Sequence, residues 1–218
     1  MTLNGTALPT LTKSMDILGP GAEVLTISGN NKSRIFTANV ADTTVTLAGM
    51  TLTNGSLASG SGGAIALTAV NGVLYDLVIQ DSQTAGYYGG GIYASGGDSF
   101  VMDNCLITGN QTTTTSTYGG GAWISYTNDV TITNSAFVGN ESYYGGGLTL
   151  YSNGNNTLDD VVLENNTAYN GGGLYASRTT STTYLDKAND ITIMYSWIID
   201  NEATNHSGGA VFNYSENV

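Results

Sequence analysis

Two groups of side chains in this 218-residue chain could do chemistry. The first is acidic: Asp76, Asp103, Asp159 and Asp160 recur at related places in a repeated pattern. Two carboxylates about 5–9.5 Å apart are what glycoside hydrolysis requires, one as general acid and the other as nucleophile or base. The second group is aromatic. Tyr93, Trp123 and Tyr175 follow glycine clusters, Tyr88, Tyr118 and Tyr144 precede them, and Tyr87, Tyr143 and Tyr169 stand one place earlier. Rings in a row offer flat faces on which a sugar or an apolar partner can stack. Both readings depend on how the chain spaces these residues.

The spacing comes from a repeat. Taking Asn140 as reference, the equivalent positions are Gly55, Ser82, Asn110, Asn140, Asn166 and Asn201, separated by 27, 28, 30, 26 and 35 residues. The long last interval contains residues 178–189, read as an inserted surface loop, and a smaller excess lies at 111–116. Three places before the reference stand Leu52, Ile79, Ile107, Phe137, Leu163 and Ile198; eight before it stand Leu47, Leu74, Met102, Ile132, Leu158 and Ile193. Every one is large and apolar. After each glycine pair come Ala64, Ile92, Ala122, Leu148, Leu174 and Ala210, taken as inward, and two residues on Ala66, Ala94, Ile124, Leu150, Ala176 and Phe212. The residues between, Ile65, Tyr93, Trp123, Thr149, Tyr175 and Val211, should then face outward, as should Val78, Leu106, Ala136, Val162 and Trp197.

Short strands with period-2 alternation and fixed apolar columns mean that each repeat lays its inward side chains on those of the repeat before. A repeat of about 26–30 residues with three short strands and three turns is all-β: a parallel β-helix of about 7–8 coils, each advancing roughly 4.8 Å. A propeller blade needs about 40–45 residues and a leucine-rich repeat its own consensus. Glycine supplies the sharp corner, and Asn at another corner can bond the Asn one coil away. Residues 1–43 carry strand-like pieces without the glycine cluster and read as entry coils; residues 44–218 hold six glycine-containing repeats in one elongated domain.

These tetrapeptides carry a family resemblance. Gly62-Gly63-Ala64-Ile65 and Phe137-Val138-Gly139-Asn140 resemble the GGAI and FxxN repeats of the chlamydial polymorphic outer membrane proteins. The looser runs 19–30 and 45–55 resemble bacterial surface proteins built from right-handed β-helix repeats. The resemblance spans nearly the whole chain and implies a right-handed coil, secretion, and an adhesive or structural role. The chain departs from those families in showing no signal peptide, barrel or anchor, and it reads as a segment of a larger protein or as a polymerising subunit.

Composition narrows the partners. Five basic against seventeen acidic residues give a net charge of −12. Nucleic acid and anionic membrane both require a basic patch, so neither is expected. No apolar run approaches the roughly 20 residues of a membrane span. The single cysteine, Cys105, falls in a core column and reads as inert packing.

The acidic set is weighed against its bland alternative. Asp103 and Asp159 share a column two coils apart, roughly 9.6 Å, and Asp76 sits one position over; the same carboxylates could simply edge a turn. A lyase would also need a basic residue, and Lys13, Lys32, Arg34, Arg178 and Lys187 all lie off the repeat strands. His206 has no nucleophile pattern beside it. No cofactor is implied; acidic turns leave casual Ca²⁺ binding open, although Gly96-Gly97-Asp98 is too short to be a calcium motif. Nine sequons, at Asn4, Asn31, Asn54, Asn110, Asn140, Asn155, Asn165, Asn205 and Asn213, would permit N-glycosylation.

The expected function is therefore a non-catalytic extracellular or cell-surface rod, structural or adhesive, associating with itself end to end or laterally. The alternatives are a carbohydrate-binding module whose contact surface is Tyr88, Tyr93, Tyr118, Trp123, Tyr144 and Tyr175, and a polysaccharide lyase or glycoside hydrolase.

Overall fold

The structure is a computed structural model that describes residues 1–178 and 189–214. Lys187 and all but the two ends of the expected loop at 178–189 lie outside the described residues. Among those described, every regular element is a strand, and the paired strands run parallel. Each turn of the chain lays strand into three sheets in succession. The first contains Met15–Leu18, Thr44–Thr53, Asn71–Gln80, Ser99–Asp103, Asp129–Val138, Asn155–Glu164 and Asp190–Met194, in that spatial order. The second runs from Ser56–Leu57 to Glu202–Ser207, and the third from Phe36–Ala38 to Val211–Tyr214. Sequence order equals spatial order in all three, which is the topology of a parallel β-solenoid.

The apolar columns stack in register. Leu47 pairs with Leu74 and Leu52 with Ile79; one turn further on, Met102 pairs with Ile132 and Ile107 with Phe137. All eight are fully buried. The core is thus a column of side chains along the axis rather than a ball, so each coil depends on its neighbours for burial.

Alternation slips once per coil, and the slip makes a corner. Leu74 and Leu77 both point inward, leaving two adjacent outward residues, Tyr75 and Asp76, between them. A convex bend with that geometry puts its second outward residue in the left-handed region. Gly49, Asp76, Asn104, Asn134 and Asp160 hold it, with φ of 63, 52, 49, 47 and 54°. Asn and Asp tolerate this region better than other side chains do, which explains why amides and carboxylates line up on the outside of the rod.

At the next corner the chain buries its amides. Asn110, Asn140 and Asn166 are at most 1% exposed. The Asn110 backbone N–H and its Nδ2 both donate to Asn140 Oδ1, at 3.0 and 3.1 Å. Asn140 does the same to Asn166, and Asn166 to Asn201. Each Nδ2 also donates to the carbonyl of the apolar residue a turn earlier: Asn110 to Ile79, Asn140 to Ile107, Asn166 to Phe137. Ser82 continues the ladder toward the first coils, accepting from the Gly55 N–H and donating its own N–H to Asn110 Oδ1.

The strand pairing corrects the expected alignment of the glycine cluster. Strand register pairs Ile65 with Ile92 and Val211 with Leu174, which sets Ala64 beside Gly91 and Ala210 beside Gly173, so both alanines occupy the third glycine position. A Cβ on Gly91 would lie 2.8 Å from Gly121 O and 3.0 Å from the Asn110 side chain, and one on Gly121 2.5 Å from Gly147 O and 3.1 Å from the Asn140 side chain. The next coil's backbone and the ladder amide together exclude a side chain there; Ala64 stands where the next rung carries the smaller Ser82. The outward column is therefore Ala66, Tyr93, Trp123, Thr149, Tyr175 and Phe212, with Ile65 in the inward column and fully buried and Val211 in the same inward register.

Burial overturns two of the sequons as well. Asn110 and Asn140 spend their amide nitrogens inside the rod and cannot carry a glycan in the folded chain. Asn4, Asn31, Asn155, Asn165, Asn205 and Asn213 are exposed, and Asn54 is half-buried. We predict that Asn140→Ala, which strips the acceptor from Asn110 and the donor from Ile107, costs about 1–3 kcal/mol for each group orphaned. Asn165→Gly, at an exposed left-handed corner, should shift the urea midpoint little.

Candidate functional site

The outward rings do not project into solvent as separate side chains. They lie against one another along the rod. Tyr88 stacks on Trp123 at 4.3 Å between ring centres, Trp123 on Tyr151 at 5.1 Å, and Tyr118 on Tyr144 at 4.6 Å. Tyr175 continues the series, 5.2 Å from Tyr144 and 5.3 Å from Phe212. Outside it, Tyr143 and Tyr169 form a parallel pair at 4.6 Å. The register explains this: Tyr88, Tyr118 and Tyr144 bridge one another on successive coils, and Trp123 pairs with Tyr93.

This cladding corrects the expected exposure. Trp123 is 5% exposed and Tyr175 7%, so neither offers a free ring face. Tyr88, Tyr93, Tyr118 and Tyr144 are half-buried. Alternation correctly placed these residues outside the hydrophobic column, but it could not say that neighbouring coils would bury them. The indole N–H of Trp123 donates to Ser125 Oγ at 2.8 Å, and Ser125 Oγ donates to Ser95 Oγ at 2.9 Å. Between these hydroxyls and the rings of Tyr88, Tyr93, Trp123 and Tyr151 lies a shallow recess of about 150 Å³. Burial first, then the neighbouring phenols, pushes the Tyr118 and Tyr175 hydroxyls above their ordinary range; in Tyr175 a hydrogen bond with Ser177 pulls the other way.

The acidic residues sit on the corner described above. Asp103 and Asp159 do share a column, with Thr133 between them. The Asp103 carboxylate is held by its neighbours. Thr133 Oγ1 and Asn134 Nδ2 both donate to Asp103 Oδ1, at 2.6 and 2.7 Å, and these bonds, the threonine's first, hold the carboxyl below its ordinary value. A general acid needs the opposite shift. Asn104 Nδ2 donates to Asp76 Oδ1 at 2.6 Å, while Asp76 and Asp160 themselves form the left-handed corner. Carboxylates edging a turn, the alternative weighed from the sequence, take this form; the sequence signal for the corner's place is the two-residue slip in alternation between Leu74 and Leu77.

The cations are elsewhere. Arg34 is half-buried against the next coil, its Nε donating to Gly62 O at 2.9 Å and Nη1 to Thr37 Oγ1 at 3.1 Å. His206 lies in Glu202–Ser207, and its side chain is outside what the structure describes. Among the described residues, no three His, Cys, Asp or Glu side chains converge where they could hold a metal ion. Among the described residues, too, no helix is long and apolar enough to cross a membrane.

The model of the right-handed β-helix region matches residues 20–187 and, overlapping, 76–218. The chain belongs to the right-handed β-helix family. Every described coil from Pro20 onward falls within those matches. No match is found among curated proteins or among solved structures.

Inside this β-helix, burial pushes the Cys105 thiol up from 9.0 to about 12. An unfolded chain would release that proton earlier, so the contribution is whole below pH 9 and is lost as pH rises toward 12. The raised Tyr118 hydroxyl adds to it in the same direction. We predict that the urea midpoint falls steadily above pH 9, less steeply in Cys105→Ala, and that the native thiol resists alkylation at neutral pH. For the cladding, Trp123→Ala should destabilise by about 3–5 kcal/mol. Tyr87→Ala, at a ring 67% exposed, should stay within about 0.5 kcal/mol.

Proposed function

We propose that this chain is a non-catalytic, structural and adhesive portion of an extracellular or cell-surface protein. One observation carries the reading: its repeated functional-looking side chains are engaged in holding coil to coil. The amides form the buried ladder, the glycines make room for it, the rings clad one another, and Asp76 and Asp160 shape a corner. A rod built this way resists bending and presents a long, acidic surface. The likeness of its tetrapeptides to chlamydial and other bacterial surface repeats supports the same role, as does the surplus of acidic residues.

A second reading has a specific observation in its favour. The recess beside Tyr88 and Tyr93 combines their half-buried rings with the Ser95 hydroxyl, a combination that suits a sugar ring.

A panel of neutral and uronic-acid polysaccharides separates these. The structural reading expects no cleavage product and no retention on any of them. Cleavage abolished by Asp159→Asn or Asp160→Asn would overturn it in favour of an enzyme. Retention without cleavage, lost in Tyr93→Ala with the fold intact, would establish the binding module instead.

A further inference from the structure

The outward column of the first sheet that the aromatic cladding does not reach is different in kind. Thr26, Thr51, Val78, Leu106, Ala136, Val162 and Trp197 pair in succession along the axis. From Val78 onward this is an apolar lane. Leu106 is 37% exposed and Trp197 64%. Among the described residues no ring stacks on Trp197, in contrast to Trp123.

One end of the lane has a wall. Residues 19–25 replace the tight corner of later coils with a projecting turn, closed by the Val24 and Leu25 N–H groups on Gly21 O at 3.0 Å. That turn is pinned to the next coil: Thr51 Oγ1 donates to Ala22 O at 2.7 Å and the Gly21 N–H to Gly49 O at 2.8 Å. Beneath it lies an open cavity of about 660 Å³, floored by Val78, Leu106 and Ala136. Neither the ladder nor the cladding uses it.

Both sides of the lane are acidic. Asp76 and Asp160 stand on the corner to one side, with Glu23 on the wall. Asp81 and Asp200 stand on the corner to the other side, and Glu164 lies beside it. None of the described cations, Lys13, Lys32, Arg34 or Arg178, falls on these columns. From Val78 to Trp197 the lane runs for four coil steps, about 19 Å at one strand spacing each, which an extended segment of about six residues spans.

We propose that this lane binds an extended basic polypeptide segment carrying apolar residues at alternate positions. The apolar side chains would lie on Val78, Leu106, Ala136 and Val162, one of them under the wall. The lysine or arginine groups would reach the carboxylates on either side. Charge decides against a second copy of this chain, because two lanes face to face would oppose acidic borders in a protein of net charge −12. The proposal extends the adhesive half of the reading above; its failure would leave the structural half standing, since stiffness does not depend on the lane.

Trp197 is the reporter. The chain is titrated with a six-residue peptide alternating valine and lysine, and in parallel with one alternating valine and glutamate. The lysine peptide should give a saturable blue shift that is absent in Trp197→Phe and weakens as salt is raised. Asp76→Asn and Asp160→Asn, both compatible with the left-handed corner, should each weaken binding about two- to five-fold, with unchanged circular dichroism. Leu106→Asn should weaken it independently of salt. Equal binding of the glutamate peptide, no shift with either, or affinity unchanged in all three variants would overturn the proposal. So would a shift produced by protein concentration alone, which would mean self-association, or by a neutral oligosaccharide but not the lysine peptide.

Discussion

A carboxamide buried in a β-solenoid has to find two donors' worth of acceptors and an acceptor's worth of donors without water. In this chain it finds them one coil up and one coil down. Asn140 accepts on Oδ1 from the backbone and side chain of Asn110 and donates from Nδ2 to Asn166 Oδ1 and Ile107 O. No single coil can satisfy that arrangement. It fixes the rung spacing, with the next coil's backbone it dictates glycine opposite each amide, and it makes a shift of register by one residue costly, since every amide would lose its partners together.

The rest of the molecule follows from that constraint. With the rungs locked in register, identical columns of the sequence fall directly on one another. Inward columns become a continuous apolar core from Leu47 through Ile132 to Leu174. Outward columns become rows, and a row takes its character from whatever side chain the repeat carries there. Where the row is aromatic, the rings bury one another and act as a second, external core. Where it is Asp or Asn at a left-handed corner, the rod gains an acidic edge. Where it is Val, Leu and Ala beside that edge, an unclad apolar lane is left.

Much of this was legible in the sequence because a stacked repeat converts residue type at a column directly into contact. The pairing of Leu52 with Ile79 and of Phe137 with Leu163 could be read by counting from Asn140. Two things could not. The glycine clusters are variable in length, GGA in some repeats and GGG in others, so counting from the first glycine pair misplaced Ala64 and Ala210; only the strand pairing shows that an alanine stands at the third glycine position. Exposure was also out of reach. Alternation tells whether Trp123 points in or out, but its 5% exposure depends on the Tyr88 and Tyr151 rings from flanking coils, a contact between rows rather than within one. Likewise column spacing alone gave the separation of Asp103 and Asp159, which is why a catalytic pair had to be weighed against carboxylates edging a turn. The hydrogen bonds that Asp103 accepts from Thr133 and Asn134 belong to three dimensions.

The claim that a satisfied amide ladder holds the coils in register is tested most directly by hydrogen exchange of side-chain carboxamides in the native protein. The Nδ2 protons of Asn110, Asn140 and Asn166 should exchange only through opening of the rod, as slowly as the backbone amides of the same coils. Those of exposed Asn155 and Asn165 should exchange quickly. Rapid exchange at all five, with the backbone of the core strands still protected, would contradict the account.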